Sequence, residues 1–156
     1  MNAIALIGLS GSGKSTIGPL LAKRLGLQHL DVDLVLEQRE GRTIREIFNT
    51  NGEPYFRALE REITIELLEA PGVLSLGGGA PMTQAIADAL NGHPVIWLRV
   101  KPESSALRIG HDEGRPLLAG QDAVIRLRTM LSERAPTYAR LASLTVDTDH
   151  ASVESV

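Results

Sequence analysis

Cysteine is absent from the 156 residues. That excludes a disulfide framework, thiolate metal sites and a cysteine nucleophile, and it suits a reducing compartment. Positive charge is not in excess: 16 Lys and Arg stand against 19 Asp and Glu, a formal net charge of −3. This argues against nucleic acid or an anionic membrane surface as the main partner. No run approaches the roughly 20 apolar residues that span a bilayer. The apolar stretch Ala3 to Leu9 is short, has no basic region before it and runs into glycines and a lysine. It reads as a buried strand rather than a secretory leader. The four histidines, at 29, 93, 111 and 150, lack metal-ligand spacing. Repeats, low-complexity tracts and linker-like segments are also missing, so one cytoplasmic domain over residues 1–156 is expected.

What is present alternates. Three apolar runs, "AIALIG" (3–8), "GVLSLG" (72–77) and "PVIWLRV" (94–100), read as strands buried on both faces, with "QHLDVD" (28–33) and "SLTVDT" (143–148) as weaker fourth and fifth strands. Helical periodicity fills the gaps. Residues 14–25 place Ile17, Leu20, Leu21 and Leu25 on one side, and 53–69 carry a stripe of Leu59, Ile63, Leu67 and Leu68. Residues 83–90 and 122–134 are similar, with Leu127, Met130 and Leu131 facing inward in the last. Strands alternating with helices predict an α/β fold with a parallel sheet and right-handed crossovers.

The segment "GLSGSGKS", Gly8 to Ser15, matches the Walker A pattern between a strand and an amphipathic helix. Gly8, Gly11 and Gly13 let the backbone curl so that its N–H groups, with that of Ser12 among them, surround phosphates at a helix N-terminus. Lys14 can reach the β- and γ-phosphates, the Ser15 hydroxyl can join a magnesium shell, and Thr16 adds a phosphate contact. ATP or GTP with magnesium follows.

The aspartate that usually ends a second apolar strand is missing, because "VLSL" runs into Gly77, Gly78 and Gly79. The nearest acidic substitutes are Asp31 and Asp33. Strand alternation would send both to one side at the carboxyl end of a parallel strand, where α/β sheets hold ligands. One could hold a metal-bound water and the other a substrate hydroxyl; a pair of solvated turn residues is an equal alternative. Arg57 opens a helix, where it either pairs with Glu53 or Glu60 on a solvated face or is oriented by Glu60 to grip a carboxylate bidentately. Spacing leaves both open. The glycine-bearing stretch 110–118 suits a lid whose Arg115 closes over phosphates. Arg108 flanks the nucleotide or is exposed, and Arg134 ends a helix. Pro19, inside the first helix, removes a hydrogen bond to the Ser15 carbonyl, so a bend or a compensating partner is expected.

Together these blocks resemble the shikimate kinases. They run in order: G-x-x-G-x-G-K-S-T at 8–16, D-x-D at 31–33, I-x-E-I-F at 44–48, G-E-x-x-F-R-x-x-E at 52–60, G-G-G at 77–79, R-P-L-L at 115–118 and R-x-x-x-Y at 134–138. The resemblance implies a five-stranded parallel sheet of the nucleoside monophosphate kinase type and transfer of the ATP γ-phosphate to the 3-hydroxyl of shikimate. By it, Asp33 contacts the acceptor hydroxyls and is the candidate base, and Asp31 supports one magnesium ion through water. Arg57 and Arg134 clamp the carboxylate, Glu60 orients Arg57, and Phe48 and Phe56 wall the ring. Arg115 is the lid arginine, and Arg108 lies along the adenine. The acceptor region is expected at about 31–62, in a monomer that binds ATP and shikimate and neither nucleic acid nor membrane. Bare glycine at 77–79 would let backbone N–H groups approach the acceptor. Rival readings are a gluconate or nucleoside monophosphate kinase of the same architecture, and a nucleotide-binding regulator that no longer catalyses.

Overall fold

A computed structural model describes residues 2–110, 120–149 and 155–156. The strands are β1 (Ile4–Ile7), β2 (His29–Asp31), β3 (Val73–Ser75), β4 (Val95–Arg99) and β5 (Leu144–Asp147). The helices are α1 (Lys14–Leu25), α2 (Val32–Glu40), α3 (Ile44–Asn51), α4 (Glu53–Leu67), α5 (Gln84–Ala89), α6 (Pro102–Gly110) and α7 (Gly120–Leu141), with a 3-10 turn at Ala80–Met82.

The five strands form one sheet in the order β2-β3-β1-β4-β5, every pair parallel. Chain order reverses at β1, so ligands are expected in the crevice beyond its carboxyl end. Apolar side chains on both faces explain the unbroken hydrophobic runs. Leu6 and Val73 pack with Ala22 of α1 on one side, while Ile7, Leu74 and Trp97 join Val32, Ile47, Ile63 and Tyr138 on the other. Burying each such large side chain contributes about 1.5–3 kcal/mol.

Three features depart from the sequence reading. The strand expected over 28–33 ends at Asp31, and Asp33 lies in the first turn of α2. Asp31 itself ends the strand: its Oδ1 accepts from the N–H groups of Asp33 (2.9 Å) and Leu34 (3.2 Å), which makes it the N-cap of the helix. The 3.6-residue turn, not the two-residue pleat, therefore sets the direction of Asp33. On α1, Leu20 and Leu25 are 43% and 44% exposed, and the residues buried on that helix are Gly18 and Ala22. Close approach of backbone, more than leucine packing, seats α1. Finally, α2, α3 and α6 exceed the four helices that periodicity indicated. The short α3 is held at its start by two side chains: Thr43 Oγ1 accepts from Glu46 N (3.1 Å), and Glu37 Oε2 accepts from Ile44 N (2.9 Å).

Pro19 sits inside an unbroken α1. The Ser75 hydroxyl reaches the same turn but donates to the Lys14 carbonyl (3.3 Å), not to that of Ser15, and pairs with His29 Nε2 (2.8 Å). Gly18 allows this: a Cβ there would lie 2.4 Å from His29 Nε2 and 3.1 Å from Ser75 Oγ. Alanine gains up to about 1 kcal/mol of helix propensity over glycine, whereas overpacking costs about 1–3 kcal/mol. Gly18→Ala is therefore expected to destabilise the protein, seen as a lower denaturant midpoint. An unchanged or raised midpoint would mean that His29 simply swings aside.

Candidate active site

The loop between β1 and α1 opens a cleft of about 370 Å³, lined by the loop itself, Asp31, Asp33, Gly77, Gly78 and Arg108. Gly8 begins it at φ 149°, with its α-carbon so near β4 that an added Cβ would stand 2.5 Å from the Leu98 carbonyl oxygen. No other residue type fits there. Gly13, at φ 104°, is the N-cap of α1 without a side-chain cap bond, so that helix start presents bare amides. Lys14 Nζ donates to the carbonyls of Gly8 (2.5 Å) and Leu9 (3.0 Å), which holds the ammonium over the loop. Ser15 and Thr16 also line the cleft.

The outside of the loop is clasped by α6 and the end of β5. Ser105 Oγ donates to the Ser10 carbonyl, and Arg108 donates to the carbonyls of Gly11 (2.9 Å) and Thr148 (2.5 Å). Thr148 Oγ1 lies 3.0 Å from the Ser12 carbonyl. Arg108 thus stands at the cleft as a bracket for the loop and for the segment after β5. Ser105 and Thr148 were not singled out by sequence reasoning, for small hydroxyl residues carry no pattern.

Across the cleft, each glycine of the 77–79 turn faces a different charged group. A Cβ on Gly77 would lie 3.1 Å from both Asp33 Oδ1 and Glu60 Oε2, one on Gly78 would lie 2.9 Å from Arg134 Nη1, and one on Gly79 would lie 2.7 Å from Arg57 Nη2. None of the three has a left-handed φ. Their requirement is space. The expectation that bare backbone serves an incoming molecule becomes more specific here: the room is taken first by the side chains of Asp33, Glu60, Arg134 and Arg57.

Arg57 Nη1 donates to Glu60 Oε1 at 2.8 Å, and Glu60 is only 1% exposed, so the solvated-face alternative for this pair fails. The exposed Glu53 is a looser neighbour at 3.6 Å. Phe56 is buried beneath the guanidinium, 5.2 Å from its ring centroid to Arg57 Cζ, and packs tilted against Phe48 with centroids 4.9 Å apart. Burial pushes the Glu60 carboxyl above its ordinary range, against the opposing pull of Arg57 and Arg134. The Tyr138 hydroxyl, one helical turn after Arg134, donates to the Gly78 carbonyl at 2.5 Å. The R-x-x-x-Y spacing carried that signal, because residues four apart share a helix face.

The structure brings together Gly11, Gly13, Lys14, Ser15, Thr16, Asp31, Asp33, Gly77, Gly78 and Arg108 around the cleft, with Arg57, Glu60, Gly79 and Arg134 gathered at the glycine turn. Ser12 is buried under the loop. Ser75, on the strand that lacks a terminal aspartate, bonds to the Lys14 carbonyl and to His29 Nε2. Arg115, and the lid expected at 110–118 beyond Gly110, lie outside the described residues.

Comparison with known proteins follows the same lines. A family model described as shikimate kinase matches residues 10–156. A shikimate kinase of Mycobacterium avium (strain 104) is 50% identical over 145 residues, covering 92% of this chain and 82% of the relative. The structure of shikimate kinase from Acinetobacter baumannii in complex with shikimate has a TM-score of 0.91 at 34% identity, over 98% of this chain and 87% of that one. Shikimate kinase from Bacteroides thetaiotaomicron has a TM-score of 0.85 at 31% identity, over 94% and 86%.

The raised Glu60 carboxyl has a measurable consequence. Above the ordinary value of 4.5 the folded state holds this proton more tightly than the unfolded chain does. Stability from this group is complete below that value and is lost as pH rises through the raised one. Glu60→Gln should remove that segment of the pH–stability profile, read as the wild-type minus variant difference in urea midpoints. A difference that does not change with pH would contradict the assignment.

Proposed function

The chain belongs to the shikimate kinase family and is an ATP-dependent kinase; from that premise we propose that it carries the γ-phosphate of ATP to the 3-hydroxyl of shikimate in the cleft between the Walker A loop and the glycine turn. The observation that supports this acceptor most is the convergence of Arg57 and Arg134 with the carboxylates of Asp33 and Glu60 on three residues without side chains. Shikimate carries one carboxylate and three hydroxyls, and the two cations and the exposed edge of Asp33 answer that pattern. Gluconate and nucleoside monophosphates are anions that two arginines also attract, so shikimate is preferred over them on the family match and not on the cations alone.

In the proposed reaction the loop amides and Lys14 take the phosphates, Lys14 exchanging its loop carbonyls for phosphate oxygens as nucleotide enters. Arg57, fixed by its bond to Glu60, and Arg134 hold the acceptor carboxylate. Phe48 and Phe56 support the floor beneath Arg57, and the region 31–62 supplies most of the acceptor contacts. Asp33 receives the hydroxyl proton as the oxygen attacks in line. Arg115 is proposed to neutralise charge on the transferring group, and Arg108 to border the adenine. Positioning and electrostatics supply the rate, since little covalent chemistry is left to the protein.

The donor set fits a magnesium ion. Ser15 offers a hydroxyl, and Asp31 spends Oδ1 on the α2 amides, leaving Oδ2 for a bound water. One hydroxyl and one indirect carboxylate suit a cation that keeps most of its waters and takes the rest of its shell from phosphates. When bound, the ion would neutralise charge on the β- and γ-phosphate oxygens. A cytoplasmic monomer is part of the same proposal, and the lack of cysteine accords with a reducing compartment.

The test is ADP release from Mg·ATP with shikimate, quinate, gluconate or no acceptor. Turnover with shikimate alone is expected. Equal turnover with gluconate, or nucleotide binding without turnover on any acceptor, would overturn the reading. Within it, Asp33→Asn should lower kcat about a hundredfold or more, the usual scale for a general base, while ATP binding persists in a calorimetric titration. An unchanged kcat removes Asp33 from the chemistry.

A further inference from the structure

The Tyr138 hydroxyl reaches the glycine turn from α7, the helix that also carries Arg134. Tyr138 is fully buried, its ring 5.6 Å from that of Trp97, and its hydroxyl donates to the Gly78 carbonyl. Burial raises its pKa above the ordinary tyrosine value, against a smaller pull from Arg134, so the proton needed for this bond is present at neutral pH.

The peptide it holds joins Gly78 to Gly79. Steric restraint on rotating a peptide plane comes largely from the flanking Cβ atoms, and this plane has none. It is the least restrained kind of peptide in the turn, yet it stands among Arg57, Arg134 and Asp33. In a trans peptide the C=O and the N–H point in opposite directions. Anchoring the Gly78 carbonyl on Tyr138 therefore aims the Gly79 N–H away from α7. That N–H makes no backbone hydrogen bond among the described residues. A peptide rotated the other way would turn a carbonyl oxygen where the donor now points, and an oxygen there repels an anionic or hydroxylated acceptor.

We propose that Tyr138 is a positioning residue for the acceptor: its hydroxyl locks the Gly78–Gly79 peptide in the orientation that offers the Gly79 N–H as a hydrogen-bond donor to an oxygen of the bound acceptor. This rests on the acceptor reading given above. It assigns tyrosine no part in proton transfer: Arg134, a hydrogen-bonding neighbour of the same hydroxyl, supplies charge, and Tyr138 supplies the direction of a neutral donor.

The experiment compares wild type, Tyr138→Phe and Trp97→Phe in steady-state turnover, varying shikimate at saturating Mg·ATP and then ATP at saturating shikimate. Tyr138→Phe keeps the ring and loses only the hydroxyl. It should raise the KM for shikimate about tenfold, the scale of one buried hydrogen bond, with the KM for ATP unchanged. Trp97→Phe disturbs the same packing without touching the hydroxyl and should leave both KM values at wild type while lowering the denaturant midpoint. Unchanged shikimate KM in Tyr138→Phe, or an equal rise for both substrates or in both variants, overturns the inference in favour of simple packing. Absence of shikimate-dependent turnover in the wild type would instead strike the acceptor reading beneath it.

Discussion

Volume left empty at Gly77, Gly78 and Gly79 governs how the charged groups of this protein meet. Two arginines and two carboxylates approach the turn to within 2.7–3.1 Å of where Cβ atoms would stand. Like charges brought that close repel, and buried ones lose hydration, so the arrangement persists because the two anions at Gly77 stand beside the two cations at Gly78 and Gly79 and Glu60 is bonded to Arg57. The sheet supplies the platform. β3 ends beside β1, so the turn that follows it and the phosphate loop that follows β1 open on one cleft. Donor and acceptor sites are thereby set side by side by strand order alone, as parallel α/β sheets do at their carboxyl edge.

The phosphate loop depends on support from outside itself. Its carbonyls at Ser10, Gly11 and Ser12 accept from Ser105, Arg108 and Thr148 respectively, while Lys14 spans those of Gly8 and Leu9 from within. A glycine-rich segment has high entropy when free, and these bonds, from three separate elements, hold it in one shape. Beneath it, Gly18 brings α1 against His29 and Ser75 where an aspartate is more usual in such sheets. The cleft consequently has Asp31 as its metal-side carboxylate, delivered from the neighbouring strand and already committed in part to capping α2.

Much of this was legible in the residues. The alternation of apolar runs and helical stripes predicts the parallel sheet, and the resemblance to shikimate kinases, more than spacing, names Lys14, Asp33, Arg57 and Arg134 as charged groups of one cleft. Less visible was what depends on competition between local structures. The run "LDVDL" has a strand's alternation, but the Asp31 side chain satisfies two amides and starts a helix one residue later. The short α3 has too few residues for a periodic stripe and is held by caps. On α1, leucine spacing pointed to a packed face that glycine and alanine in fact form. For Arg57 and Glu60, a helical pair reads the same whether solvated or buried, and only the tertiary burial of Glu60 separates the two. The three glycines were recognisable as a site, while their reason, room for neighbouring side chains, required the fold.

The most direct test of this account is the shikimate affinity of Gly79→Ala, measured by calorimetric titration beside its affinity for ATP. The methyl group would meet the Arg57 guanidinium, so shikimate binding should weaken at least tenfold, as a displaced charge-assisted clamp implies, while ATP binding stays at the wild-type value. Wild-type affinity for shikimate in this variant would contradict the claim that the empty volume of the turn is what holds the acceptor groups in place.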